Sequence, residues 1–422
     1  MIFLPKTRSN FQCLEFDRVS PDKSLSHRSI IFSFLTQGRS EIENFLDSQD
    51  TYATLQIAKT LGAKVQKKNQ RIFIESPKEI PQQANLQCLN SGTTMRLFAG
   101  LLSSKSGQFL FDGDKSLRQR PMQRIKTPLE LMGASISSPY APFVLRGNSQ
   151  LRGIEYHSEV SSAQVKSAFI LAALCANGES KYSEDELSRN HTERFLTHLG
   201  AKITHLQNQI CISPLTCLLP SYKIKIPNDP SSVMFLVVAC LISSCVELKV
   251  SQVLLNPTRI YAFEILKKMG AQLDYEVVED GLETIGNIYV RSSELRGVEV
   301  STHLSWMIDE IPALCIAMAC AKGTSIIRHA QELRFKESDR IATMVLNLKQ
   351  LGIEVGEFDD GMEIKGGEFQ DGVVQSYGDH RIAMSFALVG IRRRIEVRGM
   401  ECVQISFPRY FEFLKFFTDF KE

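Results

Sequence analysis

The feature that most limits how this chain can fold is that it repeats itself. A Leu/Met-Gly-Ala/Ile triplet occurs at Leu61-Gly62-Ala63, Met132-Gly133-Ala134, Leu199-Gly200-Ala201, Met269-Gly270-Ala271 and Leu351-Gly352-Ile353, with spacings of 71, 67, 70 and 82 residues. Such a period is too long for a solenoid and suits a small α/β unit. The local pattern is the same each time. Apolar residues at helical spacing, such as Ala262, Ile265, Leu266 and Met269, lead to the glycine. The glycine ends the helix in the left-handed conformation, and a short alternating strand follows, as in Ala201-Lys202-Ile203-Thr204. Leu-Gly-Ala is a common helix ending, but five copies at near-constant spacing predict a repeated unit. About six units fit the length, the last incomplete, in a mixed α/β fold.

At 422 residues the chain is too long for one ordinary core, and two domains are expected. The segment Asn228-Asp229-Pro230 divides it near the middle. We expect a discontinuous first domain of residues 1–18 and 229–422, and a second domain of residues 19–228. The longest apolar stretch, Val233 to Val246, is interrupted by Ser243 and Ser244 and falls short of the roughly 20 residues that span a membrane. It reads as a buried helix leading into a strand. The ten cysteines stand singly, with no Cys-x-x-Cys and no zinc spacing, so no metal is expected and a reducing cytoplasmic location is. The first residues, Met1 to Lys6, show no secretory signal pattern. A net charge of +2 gives no global field toward nucleic acid or membrane, so any anion site must be local.

Local sites are indicated by a recurring helix start. Asp22-Lys23-Ser24-Leu25-Ser26-His27-Arg28, Asn90-Ser91-Gly92-Thr93-Thr94-Met95-Arg96, Ser161 to Ser167, Phe335 to Arg340 and Gly378-Asp379-His380-Arg381 each precede a helical apolar pattern. Ser, Asn, Asp and Gly are ordinary N-caps and prove nothing alone. Lys and Arg in a first turn oppose the helix dipole and ask for a compensating anion. Any one of these cations alone reads better as a solvated side chain; the set together points to phosphate or carboxylate binding. The cation-dense loop Phe111 to Met122 adds Arg120, held by Pro121, as a bidentate clamp.

Together these stretches resemble the 5-enolpyruvylshikimate-3-phosphate synthase family of enolpyruvyl transferases. Gly113 to Met122, Ser162 to Ala168, Asp309-Glu310-Ile311-Pro312-Ala313-Leu314, Glu332 to Arg340 and Asp379-His380-Arg381 extend the match in family order almost end to end. The resemblance implies two similar domains, each of three βαβαββ repeats in an inside-out α/β barrel, with the active site in the cleft between them. It also implies phosphoenolpyruvate and shikimate 3-phosphate as substrates, no cofactor, and a monomer. Ser24, Arg28, Ser162, Ala163, Gln164, Ser188 and Lys336 are then expected to hold shikimate 3-phosphate, with Asp309 facing its reacting hydroxyl. Gly92, Arg120, Gln164, Arg340 and Arg381 are expected to hold phosphoenolpyruvate, and Lys23 to touch both. Asp309, Glu337 and Lys23 are the expected acid–base groups.

Three positions depart from the family pattern. Ile405 stands where many members carry a Lys on phosphoenolpyruvate, Glu332 where some carry an Asn, and Leu97 where a Pro is frequent. Gly92 implies sensitivity to glyphosate, since Ala there narrows the pocket. Two other readings compete. A UDP-N-acetylglucosamine enolpyruvyl transferase would usually carry a Cys in the loop Asp112 to Met122, which has none. A non-catalytic anion- or nucleic-acid-binding scaffold would show a contiguous basic face with aromatics. His27, His191 and His380 are expected to be structural, and Trp306 and Phe411 to Phe417 to be core.

Overall fold

Among the described residues, the repeats become six four-stranded sheets with one strand order. A computed structural model describes residues 1–6, 12–69, 71–244 and 246–421. In the clearest repeat, Gln83–Gln87 runs parallel to Gly107–Asp112, which pairs antiparallel with Phe143–Gly147, and that strand pairs with Ser135–Ile136. The same order recurs in Glu155–Ser158, Ser180–Glu184, Gln209–Ile212 and Ile203–Leu206. It recurs again in Glu299–Val300, Thr324–Ile327, Gly361–Lys365 and Val355–Phe358. A parallel pair needs a helical crossover, so each unit reads βαβαββ.

The helices follow the same alternation. They are α1 (Lys23–Ile31), α2 (Gln49–Thr60), α3 (Gly92–Leu102), α4 (Gln123–Met132), α5 (Ala163–Ala173), α6 (His191–His198), α7 (Pro230–Ile242), α8 (Pro257–Lys268), α9 (Leu304–Met307), α10 (Ile311–Ala319), α11 (Arg340–Gln350), α12 (His380–Ala387) and α13 (Tyr410–Leu414). Helices α2, α4, α6, α8 and α11 end in the five repeated glycines, whose φ values are +93°, +116°, +102°, +99° and +79°. The left-handed cap predicted from the triplet is therefore present in every copy, and each is followed by its strand. Helices α7 and α10 are buried all round, as their largely apolar sequences require, and α12 is buried too although it carries His380, Arg381 and Ser385. The α7 helix and the strand Val246–Leu254 account for the Val233–Val246 stretch. Where α3 meets α5, a Cβ on Gly100 would lie 2.2 Å from the carbonyl oxygen of Ala168, so only glycine permits that approach.

The chain divides into two compact units, Met1–Ser20 with Pro227–Glu422, and Pro21–Ile226. At each crossing a strand stays behind the helix that follows it. Gln12–Phe16 pairs with Val246–Leu254 in the first unit, although α1 belongs to the second. Lys223–Lys225 pairs with Arg39–Glu43 in the second, although α7 belongs to the first. The sixth sheet has Gly372–Gln375 beside Ile395–Arg398, then Ile2–Pro5, then Thr418–Lys421. The last repeat thus lacks only its final strand, and the N-terminus supplies it.

Trp306 and Phe416, both expected in the core, lie outside it. Trp306 is half-buried and stacks on His303, with ring centroids 4.1 Å apart. It lies on the short α9, where Leu304 and Met307 take the inward positions. Phe413 and Phe417 are core, whereas Phe416 is exposed. Among the described residues no helix is long and apolar enough to cross a membrane.

Candidate active site

The expected site residues gather at helix N-termini in each unit. In the second unit, Asp22 caps α1 by accepting from the Leu25 N–H at 2.7 Å, which places Lys23 at the first helical position. The Lys23 ammonium lies 3.2 Å from Asp50 Oδ2. The other Asp50 oxygen is buried with no hydrogen-bond partner among the described residues. Arg28, one turn along α1, is buried. It donates from Nε to Thr192 Oγ1 at 2.8 Å, from Nη2 to Ser167 Oγ at 2.8 Å and from Nη1 to the Ser24 carbonyl at 3.2 Å. These three acceptors are neutral oxygens.

Ser91 caps α3 through Thr94 N–H, leaving Gly92 at the first helical position. A Cβ there would meet Arg96 Nη1 at 2.7 Å and Arg120 Nη1 at 3.6 Å, so Gly92, Arg96 and Arg120 converge. Arg96 donates to Gln164 Oε1, and Gln164 Nε2 donates to Thr93 Oγ1 at 3.0 Å, which joins the starts of α3 and α5. Arg120 donates to Asn90 Oδ1 at 2.7 Å and to the Asn90 carbonyl at 3.3 Å. The Asn90 amide thus helps orient this guanidinium.

Ser162 and Ser188 meet through a residue that sequence reasoning missed. Glu184, 1% exposed, accepts from Ser162 N–H at 2.9 Å, Ser188 N–H at 2.7 Å, the Ser188 hydroxyl at 3.2 Å and the Tyr182 hydroxyl at 3.0 Å. Ala163 opens α5 beside it. Lys166 is not available to a ligand: it pairs with Glu193 at 2.7 Å, both nearly fully buried, and donates to the Ser188 carbonyl.

The first unit holds the acidic residues. Arg340, at the first position of α11, is 1% exposed and faces three carboxylates. Its Nε donates to Asp379 Oδ2 at 2.8 Å, its Nη2 to Glu337 Oε2 at 2.6 Å, and its Nη1 lies 3.5 Å from Asp309 Oδ1. Burial alone would lower the guanidinium pKa, but Asp379, Glu337 and Asp309 outweigh it and hold Arg340 charged above its usual range. Asp379 also caps α12 by accepting from Arg381 N–H at 2.8 Å. Arg381 is buried, donates to the Ser231 carbonyl at 3.2 Å, and has its Nε without a partner among the described residues. Lys336 has its ammonium pKa lowered by burial; Asp309 opposes that shift, and Arg340 adds to it.

Contrary to the expectation from the helix starts, these cations do not all look to a ligand for their anion. Part of the compensating anion is the protein's own: Asp50 serves Lys23, and Asp379, Glu337 and Asp309 serve Arg340. These partners lie 27 to 39 residues away or come from the same tight turn, which a local motif does not reveal. Ile405 is half-buried in the 3₁₀ segment Met400–Ile405 and offers no charge. His27 is buried against Thr54 Oγ1 at 2.6 Å, and burial with Lys23 and Arg28 nearby holds its imidazole neutral, well below the usual pKa. That is a structural role.

Known proteins share this chain's sequence pattern and fold. A family model described as EPSP synthase (3-phosphoshikimate 1-carboxyvinyltransferase) matches residues 17–414. The chain belongs to this family. It is 49% identical over 415 residues to the 3-phosphoshikimate 1-carboxyvinyltransferase of a Nitratiruptor species, with 96% of each chain covered. It is 46% identical to that of Helicobacter pylori, covering 94% of this chain and 96% of the relative. Among solved structures, an EPSP synthase from Acinetobacter baumannii superposes with a TM-score of 0.85 at 36% identity, covering 100% of this chain and 99% of that one. The enolpyruvyl transferase NikO from Streptomyces tendae has a TM-score of 0.75 at 16% identity, covering 99% and 98%, and so shares the fold.

Proposed function

We propose that the chain transfers the enolpyruvyl group of phosphoenolpyruvate to the 5-hydroxyl of shikimate 3-phosphate and releases phosphate. The observation that carries this is the paired chemistry within a family member: a cation-rich set at the helix starts of one unit, and carboxylates around Arg340 in the other. Both substrates carry a phosphate of about −1.5 to −2 and a carboxylate. They can react only where cations offset their repulsion.

In this reading Ser24, Arg28, Ser162, Ala163, Gln164, Ser188 and Lys336 hold shikimate 3-phosphate, and Lys23 touches both substrates. Gly92, Arg120, Gln164, Arg340 and Arg381 hold phosphoenolpyruvate. A substrate carboxylate would satisfy the buried Arg381 Nε, which otherwise carries a desolvation cost. Asp309, with a side chain 30% exposed, takes the proton of the 5-hydroxyl as its oxygen bonds to C2 of the enol. C3 receives a proton in the same addition, giving a tetrahedral intermediate. Loss of the C3 proton then expels phosphate and restores the double bond. Lys23 and Glu337 are assigned to these proton transfers at C3, and the arginines stabilise the carboxylate and leaving phosphate.

The test is phosphate release from phosphoenolpyruvate with shikimate 3-phosphate and with UDP-N-acetylglucosamine as separate acceptors. Release with shikimate 3-phosphate alone is expected. Release with the nucleotide sugar alone would overturn the acceptor assignment, and release with neither, from folded protein, would overturn the enzymatic reading.

A further inference from the structure

A carboxylate buried beside a phosphate site should repel the ligand, yet Glu184 sits directly on two residues assigned to shikimate 3-phosphate. Its oxygens accept from Ser162 N–H, Ser188 N–H and the Ser188 and Tyr182 hydroxyls, at 2.7 to 3.2 Å. Four donors around one carboxylate stabilise its charge without a cation. The Tyr182 hydroxyl is kept protonated, and so able to donate, because burial and the Glu184 charge both raise its pKa.

The two serines lie 26 residues apart and at different elements: Ser162 at the N-cap of α5, Ser188 in the turn before α6. Ser162 makes no side-chain capping bond to its own helix, so the usual device that sets a helix start is not used there. Its backbone is anchored to Glu184 instead. Lys166 holds the same turn from the other side through the Ser188 carbonyl at 2.7 Å. The Ser188 hydroxyl, with its proton on Glu184, can present only lone pairs; to bind a phosphate it must turn that proton to the ligand.

We propose that Glu184 is a positioning residue for the acceptor. It fixes the spacing of Ser162 and Ser188, and it accepts a hydrogen bond from the Ser188 hydroxyl, which turns to the acceptor phosphate when the acceptor binds. This rests on the acceptor assignment above. Glu184 touches no reacting atom, so its removal should act on acceptor recognition and leave the donor side alone.

The experiment is steady-state kinetics of full-length wild type, Glu184→Gln, Ser188→Ala and the double variant, varying shikimate 3-phosphate and phosphoenolpyruvate separately. Glu184→Gln keeps the shape but turns an acceptor oxygen into a donor NH₂ facing donors. We expect the KM for shikimate 3-phosphate to rise about tenfold, with kcat and the KM for phosphoenolpyruvate within about twofold. In the Ser188→Ala background the same change should cost much less, because the two act as a unit. An unchanged acceptor KM, equal loss for both substrates, or full additivity would overturn the proposal. Should Glu184→Gln fail to fold, Glu184→Asp, which keeps the charge but shortens the reach, must raise the acceptor KM selectively; an unchanged value overturns the proposal. A wild type inactive with shikimate 3-phosphate would instead remove the acceptor assignment itself.

Discussion

Arg28 and Arg340, one in each unit, are held in different ways. In the second, Arg28 rests on hydroxyls and a carbonyl, Arg96 on an amide, and Arg120 chiefly on Asn90. In the first, Arg340 is enclosed by Asp379, Glu337 and Asp309. Carboxylates around a guanidinium offset part of its field and are ordered by it, which neutral oxygens do not do. In the proposed reading both units receive anions, through Arg28 and Arg120 in the second and Arg340 and Arg381 in the first, and the first also places the carboxylates Asp309 and Glu337 beside Arg340.

The largest expected effect separates chemistry from binding. Asp309→Ala should lower kcat by about a thousandfold or more, the upper range for a general base. Its thermal midpoint should move by less than about 4 °C, since the side chain is partly exposed and its ion pair is long. A kcat near wild type would return the base role to another group.

The next concerns stability. Asp379→Asn can still cap α12, because Asn caps as well as Asp. It removes a charge from the buried Arg340 pair and should cost about 3 kcal/mol in urea unfolding. Thr192→Val, which takes one neutral acceptor from Arg28, should cost about 1 to 2 kcal/mol. Equal losses would erase the contrast between the two clusters.

Gly92→Ala should displace Arg96 and disturb Arg120, since its Cβ would lie 2.7 Å from Arg96 Nη1. We expect the KM for phosphoenolpyruvate to rise about tenfold, on the scale of one disturbed charged contact, and inhibition by glyphosate to weaken. Unchanged donor kinetics would mean that Arg96 yields without consequence.

The smallest effect is a pH dependence. The lowered Lys336 pKa means that its charge is lost at a lower pH than the ordinary value of about 10.4. Affinity for shikimate 3-phosphate should therefore weaken as the solution becomes alkaline, and Lys336→Met should flatten that limb. Lys23 also touches the acceptor in this reading, so a limb whose midpoint and slope are both unchanged in the variant would remove Lys336 from the acceptor site.

Much of this is legible in the chain. Five glycines mark the helix ends because a left-handed cap leaves a local signature, and Asp22, Ser91, Asp339 and Asp379 mark helix starts for the same reason. The partners are not legible. Asp50 and Thr192 reach Lys23 and Arg28 across the fold, and nothing near Ser162 announces Glu184. Trp306 departs from its expected core position because hydrophobicity does not say which side of a short helix faces inward. The Ile2–Pro5 strand shows the same limit, since its place in the sixth sheet depends on residues at the far end of the chain.

The separation of acceptor binding by Arg28 from proton transfer by Asp309 is tested most directly by calorimetric titration of shikimate 3-phosphate into Asp309→Ala beside Arg28→Ala. The account predicts that Asp309→Ala binds within about threefold of wild type while turning over no substrate, and that Arg28→Ala loses binding by about a hundredfold, as expected for removal of a buried charged contact. Loss of acceptor binding in Asp309→Ala, with Arg28→Ala unaffected and folded, would contradict it.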